Sequence, residues 1–526
     1  MTPYSFLTLA WFIALWRTTS GLPYVTVQSQ FSDNTVRYKT WEADDAWPCE
    51  TGSRHHTGWA DIKDRHLFFW FHEARNSSKN TPLLLWFQGG PGGSSLHGSF
   101  VENGPCLVDT PNSAIPNPYS WTEQFNIVYL DQPAGVGFSY LDHPDDEESY
   151  HQRSEVSALD VVTFIRLLYE AFPHLANLDL HLSGESYAGR YVPTIADAIL
   201  DYNEFFVAGG NISMAIPLRS LMIGNPWLNP AIQMPALYDV SCFPYRGTYP
   251  PFMNESLCQN ALALADRCES LLDACALASN RGEDSLLCSS SVDICYNQYY
   301  GTFMNATSSI YDRRLTGCPD AGSCYDGMLK TIDFLQSKSV MHDHLQVYTQ
   351  SNGTKTSWDM INEIIERRYI ESGDYVMPST LQMQRLLNYA RNNKSSSRVR
   401  SLDILIYAGV ADIACNTEGV LSTLNGLRWE GRREFNGIPW RELASRDGES
   451  TGRVKRVPNL WMVEFNDAGH MVPFDQPEAM LQSTGQWLEH LSEGAAATSD
   501  SLDMLLGTEP SVDQDQLPED ILIKDL

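Results

Sequence analysis

The sequence predicts an α/β fold in which helices flank a mostly parallel central sheet. Six short apolar runs each lead into a turn rich in glycine or proline, and helical stretches alternate with these runs. Runs this apolar indicate strands that are covered on both faces, as in a parallel sheet, and the alternation is typical of the α/β class. The runs are PLLLWF (82–87), NIVYL (126–130), LDLHL (178–182), LMI (221–223), LDILIY (402–407) and NLWMVEF (459–465).

Four helices can be placed from their ends and their periodicity. The segment 154–172 begins with a serine that predicts an N-cap, carries apolar residues at helical spacing and ends at Pro173. The segment 477–491 begins with a proline, which is favoured at the first helical position. Two further helical stretches are expected over 358–370 and 378–391.

The alternation fails over 226–400, where cysteine, tyrosine and asparagine dominate before the last helical stretches. We interpret this segment as an inserted, disulfide-rich and largely helical cap over the carboxyl edge of the sheet. The sheet domain then consists of residues 21–225 and 401–492. Residues 493–526 are acidic, with small residues, proline and few aromatics, and this composition predicts a disordered tail.

The amino terminus predicts a signal peptide over residues 1–20. Its apolar stretch, about 4–16, is too short to span a bilayer, and small residues precede Gly21 as at a cleavage site. Because no lysine or arginine precedes the apolar stretch, an ordinary buried helix is the alternative.

The formal net charge of −29 argues against nucleic acid and anionic membranes as partners, because both would repel the chain. No later run is long enough to cross a membrane. The leader, six Asn-x-Ser/Thr sequons and eleven cysteines together favour the secretory pathway, with an extracellular or vacuolar destination. The sequons are at Asn76, Asn211, Asn254, Asn305, Asn352 and Asn393.

Eight of the cysteines lie within residues 242–324. The spacing of Cys268 and Cys275 mirrors that of Cys288 and Cys295, which suits nested bridges 268–295 and 275–288, although spacing alone does not fix connectivity. The cysteines do not form paired CxxC knuckles, and this disfavours a structural zinc site. We therefore expect neither a metal nor a cofactor, and the odd total leaves at least one thiol unpaired.

The stretch HLSGESYAGRYVP predicts a nucleophile. Ser186 follows a predicted strand, lies between glycines and precedes a helical stretch, which is the nucleophile elbow of α/β-hydrolases. The usual G-x-S-x-G is GESYA here, and alanine is still small enough for the tight turn. A single motif of this length also arises by chance, so other residues must support it.

Two later residues complete a catalytic triad. In α/β-hydrolases an acid and then a histidine follow the serine, each at the carboxyl end of a later strand. Asp412 follows the run 402–407, and His470 follows the run 459–465. We expect His470 to take the proton of Ser186, while Asp412 fixes the imidazole tautomer and stabilises the imidazolium.

An oxyanion hole is expected from two backbone N–H groups, that of Tyr187 after the nucleophile and that of Gly90 in the loop QGGPGG (88–93). A phosphate-binding loop is the alternative interpretation of this glycine-rich segment. The segment lacks the Lys-Ser/Thr of a P-loop and the GxGxxG spacing, which disfavours phosphate.

Six motifs in order link the chain to a family. They are WFQGGPGGSS, ENGP, DQPAGVGFSY, GESYAGRYVP, GVADIACN and DAGHMVPFDQP. Over about residues 23–492 the chain resembles the serine carboxypeptidases. The resemblance implies an α/β-hydrolase fold with a cap. It also implies removal of C-terminal residues from peptides or proteins with a free C-terminus, through an acyl-enzyme on Ser186.

By this resemblance, the terminal carboxylate of the substrate is held by Trp86, Gln88, Gly89, Glu102 and Glu185. Carboxyl groups this close cannot all be ionised, so at least one glutamic acid is expected to be protonated and to donate a hydrogen bond to the substrate. Activity should therefore be favoured at acidic pH. The alternative for Glu185 is a turn cap or an ion pair with Arg190.

The resemblance also implies a pocket for the departing residue, lined by His97, Cys415 and Met471, with Cys415 as a free thiol. A protonated His97 would favour acidic C-terminal residues. Two positions depart from the family pattern. Gln88 stands where asparagine is usual, and Gly93 stands where a cysteine is usual.

For the other ten cysteines the resemblance implies four pairings in the cap and leaves Cys49 and Cys106 as a further pair. The cap pairings are Cys242–Cys258, Cys268–Cys295, Cys275–Cys288 and Cys318–Cys324.

Two other functions are open from the sequence. A carboxypeptidase-like acyltransferase, or an esterase acting on a small-molecule ester, would use the same acyl-enzyme with a changed acceptor pocket. A catalytically inactive binding protein is disfavoured, because all three triad positions are filled. Both a monomer and a homodimer are compatible with the sequence.

Overall fold

The computed structural model describes residues 23–45, 47–76, 78–280, 286–318, 324–392, 402–444 and 448–493. The predicted signal peptide (1–20), all but the first residue of the predicted acidic tail, and the sequon at Asn393 lie outside the described residues. The other five sequon asparagines are exposed.

Thirteen strands of the described residues form one sheet, and two more form a separate hairpin. The strands are β1 (Val25–Gln28), β2 (Thr35–Trp41), β3 (His55–Ile62), β4 (Arg65–His72), β5 (Leu83–Phe87), β6 (Cys106–Thr110), β7 (Ser113–Pro116), β8 (Asn126–Leu130), β9 (Tyr140–Leu141), β10 (Leu180–Glu185), β11 (Leu218–Gly224), β12 (Asp403–Gly409), β13 (Arg441–Ala444), β14 (Ser450–Val457) and β15 (Leu460–Phe465). Their order in the sheet is β1-β2-β3-β4-β8-β5-β10-β11-β12-β15-β14-β13, with β9 on β4, while β6 and β7 pair separately.

The six apolar runs of the sequence form the parallel centre of this sheet, in the order β8, β5, β10, β11, β12 and β15. Nearly every residue in these strands is buried, as expected for strands covered on both faces. The α/β prediction is thereby confirmed. The antiparallel strands at both ends of the sheet were not predicted from the sequence.

Some helices of the described residues cover the two faces of the sheet, and others form the segment inserted between β11 and β12. The helices are α1 (Ser154–Ala171), α2 (Ala188–Ala208), α3 (Pro230–Cys242), α4 (Glu255–Asn280), α5 (Leu286–Val292), α6 (Gly301–Met304), α7 (Asp326–Leu335), α8 (Val347–Gln350), α9 (Glu363–Glu371), α10 (Thr380–Asn392), α11 (Thr417–Gly426), α12 (Arg432–Gly437), α13 (Val472–Asp475) and α14 (Pro477–Glu493). Side chains along β5 alternate between the two faces of the sheet, and each face has its own hydrophobic core. Leu83 and Leu85 pack with residues of α1 and α2, whereas Leu84 and Trp86 pack in the core that contains Trp487 of α14.

The predicted helices 154–172 and 477–491 correspond to α1 and α14, and the later stretches correspond to α9 and α10. The predicted N-cap of α1 is wrong. Arg153 occupies the cap position, and the Ser154 hydroxyl donates instead to Asp374 Oδ2 at 2.6 Å. A long-range acceptor has therefore replaced the local capping bond that the sequence suggested.

Helices α3 to α10 lie between β11 and β12 in the chain, which agrees with an inserted helical cap, while the exact boundaries at 226 and 400 stay predictions. The cap packs on the glycine-rich loop after β5: Asn362 N–H donates to Gly92 O at 3.0 Å, and Ile361 forms a bridge with Gly93. The five disulfides join the pairs that the resemblance implies, four of them within the cap, and Cys415 is free and buried.

Leu85→Ala is expected to lower the free energy of unfolding by about 3 kcal/mol, because Leu85 is fully buried in the parallel centre. Leu159→Ala is the control, since Leu159 is 61% exposed on α1; its effect is expected to stay within about 0.5 kcal/mol. Denaturant unfolding followed by circular dichroism measures both. Similar losses in the two variants would contradict the assignment of the buried faces.

Candidate active site

Ser186 occupies a strained turn between β10 and α2. Its φ of +64° lies in the left-handed region, which is unfavourable for a residue with a side chain. The turn is held by two strong contacts, because Ser186 N–H donates to Gly224 O at 3.0 Å and Ser186 O accepts from Trp227 N–H at 2.8 Å. A Cβ at Gly189 would lie 2.6 Å from Trp227 N, so the second glycine of the motif is required for this close packing.

His470 and Asp412 meet beside this turn. His470 Nδ1 lies 2.7 Å from Asp412 Oδ2, and both residues are buried. Asp412 Oδ2 also accepts from Asn225 Nδ2 at 2.7 Å and from Cys415 N–H at 3.3 Å. The three residues predicted as a triad thus lie at the carboxyl ends of β10, β12 and β15.

Asn225 was missed by the sequence analysis. Its amide also accepts from Gly409 N–H at 3.1 Å, so it fixes the Asp412 carboxylate against the end of β12. The signal was present, since Asn225 lies two residues after the apolar run 221–223, and the predicted site residues also lie beyond the carboxyl ends of their strands.

Burial alone would lower the pKa of His470, but the charge and the hydrogen bond of Asp412, together with the charge of Glu185, raise it above its ordinary value. The cap also contacts this residue, because the backbone N–H of His470 donates to Tyr311 O at 2.8 Å and the imidazole and the Tyr311 ring lie 4.9 Å apart. Asp412 therefore makes the buried imidazole a stronger base than burial alone would permit.

The predicted oxyanion-hole elements converge at the start of α2. Tyr187 immediately precedes the helix, where backbone N–H groups have no partner within the helix. A Cβ at Gly89 would lie 2.5 Å from Tyr187 N, which shows how closely the loop after β5 approaches this N–H group. Gly90 follows with φ of +112°, a conformation that favours glycine.

The five residues predicted to bind a carboxylate are brought together on one side of Ser186. Trp86 Nε1 donates to Gln88 Oε1 at 3.1 Å, and Gln88 Nε2 donates to Glu185 Oε1 at 2.7 Å. The longer glutamine therefore keeps an amide donor directed at Glu185. Gly98 packs against the Trp86 indole at a distance that leaves no room for a side chain.

Glu102 and Glu185 form a buried pair of carboxyl groups, only 2% and 1% exposed. Burial, followed by the charge of Glu185, raises the pKa of Glu102 well above its ordinary value. Burial also raises the pKa of Glu185, against the opposing effects of His470 and Gln88. Both oxygens of Glu102, and Oε2 of Glu185, lack a hydrogen-bond partner among the described residues unless the two groups share a proton.

The alternative ion pair between Glu185 and Arg190 is not present among the described residues. Arg190 pairs instead with Glu155 and Asp374, and Asp374 also accepts a hydrogen bond from the Tyr187 hydroxyl. This buried network ties the start of α2 to the cap and leaves the charge of Glu185 uncompensated by arginine. No local sequence pattern connects these residues, so it was not predicted.

The three residues predicted to line the leaving-residue pocket divide into two groups. His97 Nε2 lies 3.2 Å from Met471 Sδ, whereas the thiol of Cys415 faces Ser186. Burial, with His470 nearby, lowers the pKa of His97 to about 4. His97 is therefore neutral over most of the acidic range, which argues against a preference for acidic residues through a protonated His97.

Asp412, Cys415 and His470 each place one ligand-type atom within 4.8 Å of the others. A metal would require the thiolate form of Cys415. Burial, and then the charge of Asp412, raises the pKa of Cys415 well above its ordinary value. These atoms therefore favour a hydrogen-bonded arrangement around a neutral thiol.

Comparison with known proteins agrees with this geometry. A family model described as serine carboxypeptidase matches residues 48–490. Carboxypeptidase Y homolog A of Uncinocarpus reesii is 34% identical over 446 residues, covering 84% of this chain and 75% of the relative. The homolog A of Coccidioides posadasii is 34% identical over 442 residues, covering 83% and 74%.

One solved structure extends the likeness to the whole fold. KEX1(DELTA)P, described as a prohormone-processing carboxypeptidase from Saccharomyces cerevisiae, has a TM-score of 0.68 and 22% identity, covering 90% of this chain and 92% of its own. None of the described helices combines the length and apolarity needed to cross a membrane. On the evidence of the family model and the curated relatives, the chain belongs to the serine carboxypeptidase family and is a peptidase that removes residues from the carboxyl end of peptides.

Proposed function

We propose that Ser186, His470 and Asp412 are the catalytic triad of this carboxypeptidase, and that the Glu102–Glu185 pair sets its exopeptidase specificity. The observation that carries the proposal is the buried carboxyl pair on one side of a strained serine turn. In a serine peptidase that cuts internal bonds no substrate carboxylate enters the site, so the proton shared by two buried acids would have no such group to bind.

In the proposed reaction, His470 Nε2 takes the proton of Ser186 Oγ as this oxygen attacks the last peptide carbonyl. The N–H groups of Tyr187 and Gly90 stabilise the oxyanion. His470 then protonates the departing amine, which leaves an acyl-enzyme on Ser186. Water activated by His470 hydrolyses the ester, and the shortened peptide can bind again.

The terminal carboxylate binds between the loop after β5 and the glutamic acid pair. Gly89 N–H and a protonated glutamic acid donate to it, while Trp86 and Gln88 orient the pair. Because one acid must be protonated to accept a third carboxylate, binding weakens as the pair ionises. This accounts for the expected preference for acidic pH.

The proposed site of action is the lumen of the secretory pathway, either extracellular or vacuolar. Five disulfides and five exposed sequon asparagines support an oxidising compartment and glycosylation. The proposed binding partners are peptides or proteins with a free C-terminus, and neither nucleic acids nor membranes are among them. The working form is a monomer or a homodimer.

A peptide with a free C-terminus should lose residues one at a time, faster at about pH 4.5 than at about pH 7.5. Its C-terminally amidated twin should react about tenfold to a hundredfold more slowly, because the charge-assisted hydrogen bonds to the carboxylate are lost. Timed amino acid analysis and mass spectrometry follow both. Equal rates for the twins, or mainly internal cuts, would contradict the proposed specificity.

Glu185→Gln should move the acid limb of ester hydrolysis to lower pH by about half a unit, because a negative charge that raises the pKa of His470 is removed. A p-nitrophenyl ester is the appropriate substrate, since it has no free carboxylate for the pair to bind. Glu371→Gln, with a side chain that is 63% exposed on α9, is the charge-matched control. An acid limb that shifts equally in both variants, or in neither, would refute the coupling between Glu185 and His470.

A further inference from the structure

Glu185, Gly224 and Tyr407 form a row across three adjacent parallel strands. Glu185 of β10 is in register with Gly224 of β11, and Gly224 is in register with Tyr407 of β12. Residues paired in this way point to the same face of a sheet, and adjacent strands are about 4.8 Å apart. The Glu185 and Tyr407 side chains therefore leave the same face about 10 Å apart, with only a glycine between them.

The tyrosine ring lies over this glycine. A Cβ at Gly224 would lie 2.5 Å from Tyr407 Cζ and 2.7 Å from Tyr407 Oη. Any side chain at position 224 would thus displace the phenol. The preceding residues of β11, Leu221 to Ile223, are large. The missing side chain at Gly224 therefore leaves space for the Tyr407 ring on the side that faces Glu185.

The polar atoms around this row share an unusual property. Apart from the proton that the two acids can share, Tyr407 Oη, Glu185 Oε2 and both carboxyl oxygens of Glu102 are buried without a hydrogen-bond partner among the described residues. Leaving one such atom unpaired is unfavourable, and four of them in one neighbourhood point to partnerships with each other. The electrostatic coupling of Tyr407 to Glu185 and Glu102 agrees with their proximity.

We propose that the Tyr407 hydroxyl donates a hydrogen bond to Glu185 Oε2, directly or through one water molecule, and thereby places the shared proton of the pair on Glu102. This inference rests on the proposed function of the pair. Tyr407 is a positioning residue here, because it acts on the substrate carboxylate only through the two glutamic acids.

The donors around each acid decide where the proton resides. Gln88 already donates to Glu185 Oε1, so a bond from Tyr407 gives both Glu185 oxygens a donor and stabilises the ionised form. His470 favours the same form by its charge, while Asp412 opposes it. Glu185 is then ionised and holds the orientation of Gln88.

Glu102 has the opposite surroundings. The charges of Glu185 and Asp475 face it and favour its neutral form, and the Tyr129 hydroxyl nearby is already committed to Asn103 at 2.9 Å. Glu102 is therefore the acid whose O–H donates to the substrate carboxylate. Together the two acids and Tyr407 recognise a carboxylate with one proton at a defined position.

Tyr407→Phe tests this arrangement. Without the phenol donor, ionised Glu185 is less stable and the pair holds its proton to higher pH. The alkaline limb of kcat/KM for a free peptide should therefore move up by about one pH unit, whereas any change in the profile for a p-nitrophenyl ester should be confined to its acid limb, which reports His470. Tyr169→Phe is the matched control, because Tyr169 also has a buried hydroxyl without a partner among the described residues, on α1.

A second substitution, Tyr407→3-fluorotyrosine, keeps the shape of the side chain and covers the case in which the phenylalanine variant does not fold. Its more acidic hydroxyl is a stronger donor, so the alkaline limb should move down, opposite to the effect of phenylalanine. If the alkaline limb stays in place in the folded Tyr407 variants, or moves by the same amount in Tyr169→Phe, the proposed role of Tyr407 is wrong. If wild-type enzyme cleaves the free and amidated peptides equally, the function of the pair itself fails instead.

Discussion

Two carboxyl groups buried side by side are the constraint on which the proposed active site depends. Glu102 and Glu185 are almost fully shielded from solvent, and no arginine or lysine pairs with either of them among the described residues. Two negative charges on neighbouring buried carboxylates would repel each other strongly. The pair therefore retains a proton at a pH where exposed acids have lost theirs. A retained proton is what allows an acidic site to bind a carboxylate.

The rest of the site is arranged around this pair and the serine turn. The parallel strands place Ser186, Asp412 and His470 at one edge of the sheet. The cap packs over that edge through backbone hydrogen bonds of Asn362 and Tyr311. The positive φ of Ser186 is held by hydrogen bonds with Gly224 and Trp227, at and just after the end of β11, so the strain is supported by the fold. In the proposed function, the triad side chains carry out the chemistry and the buried acids select the substrate.

Sequence patterns predicted the parts of the molecule that depend on local order. Each parallel strand is a short apolar run with a turn after it, and Asp412 and His470 were found because they follow such runs. The antiparallel end strands were not found, because β2 and β14 mix polar with apolar residues and gain their stability from neighbours distant in the chain. The contacts of Asn225 and Asp374 are equally non-local, and the neutral state of His97 follows from burial that no pattern records.

The most direct test of the protonated pair is the proton balance of binding. Ser186→Ala removes the nucleophile, so a free peptide and its amidated twin can be titrated calorimetrically in buffers with different ionisation enthalpies. Binding of the free peptide should take up about one proton once the pH exceeds the pKa of the unoccupied pair, and progressively less below it, while the amidated twin takes up none. Binding of the free peptide without proton uptake at any pH would contradict the account.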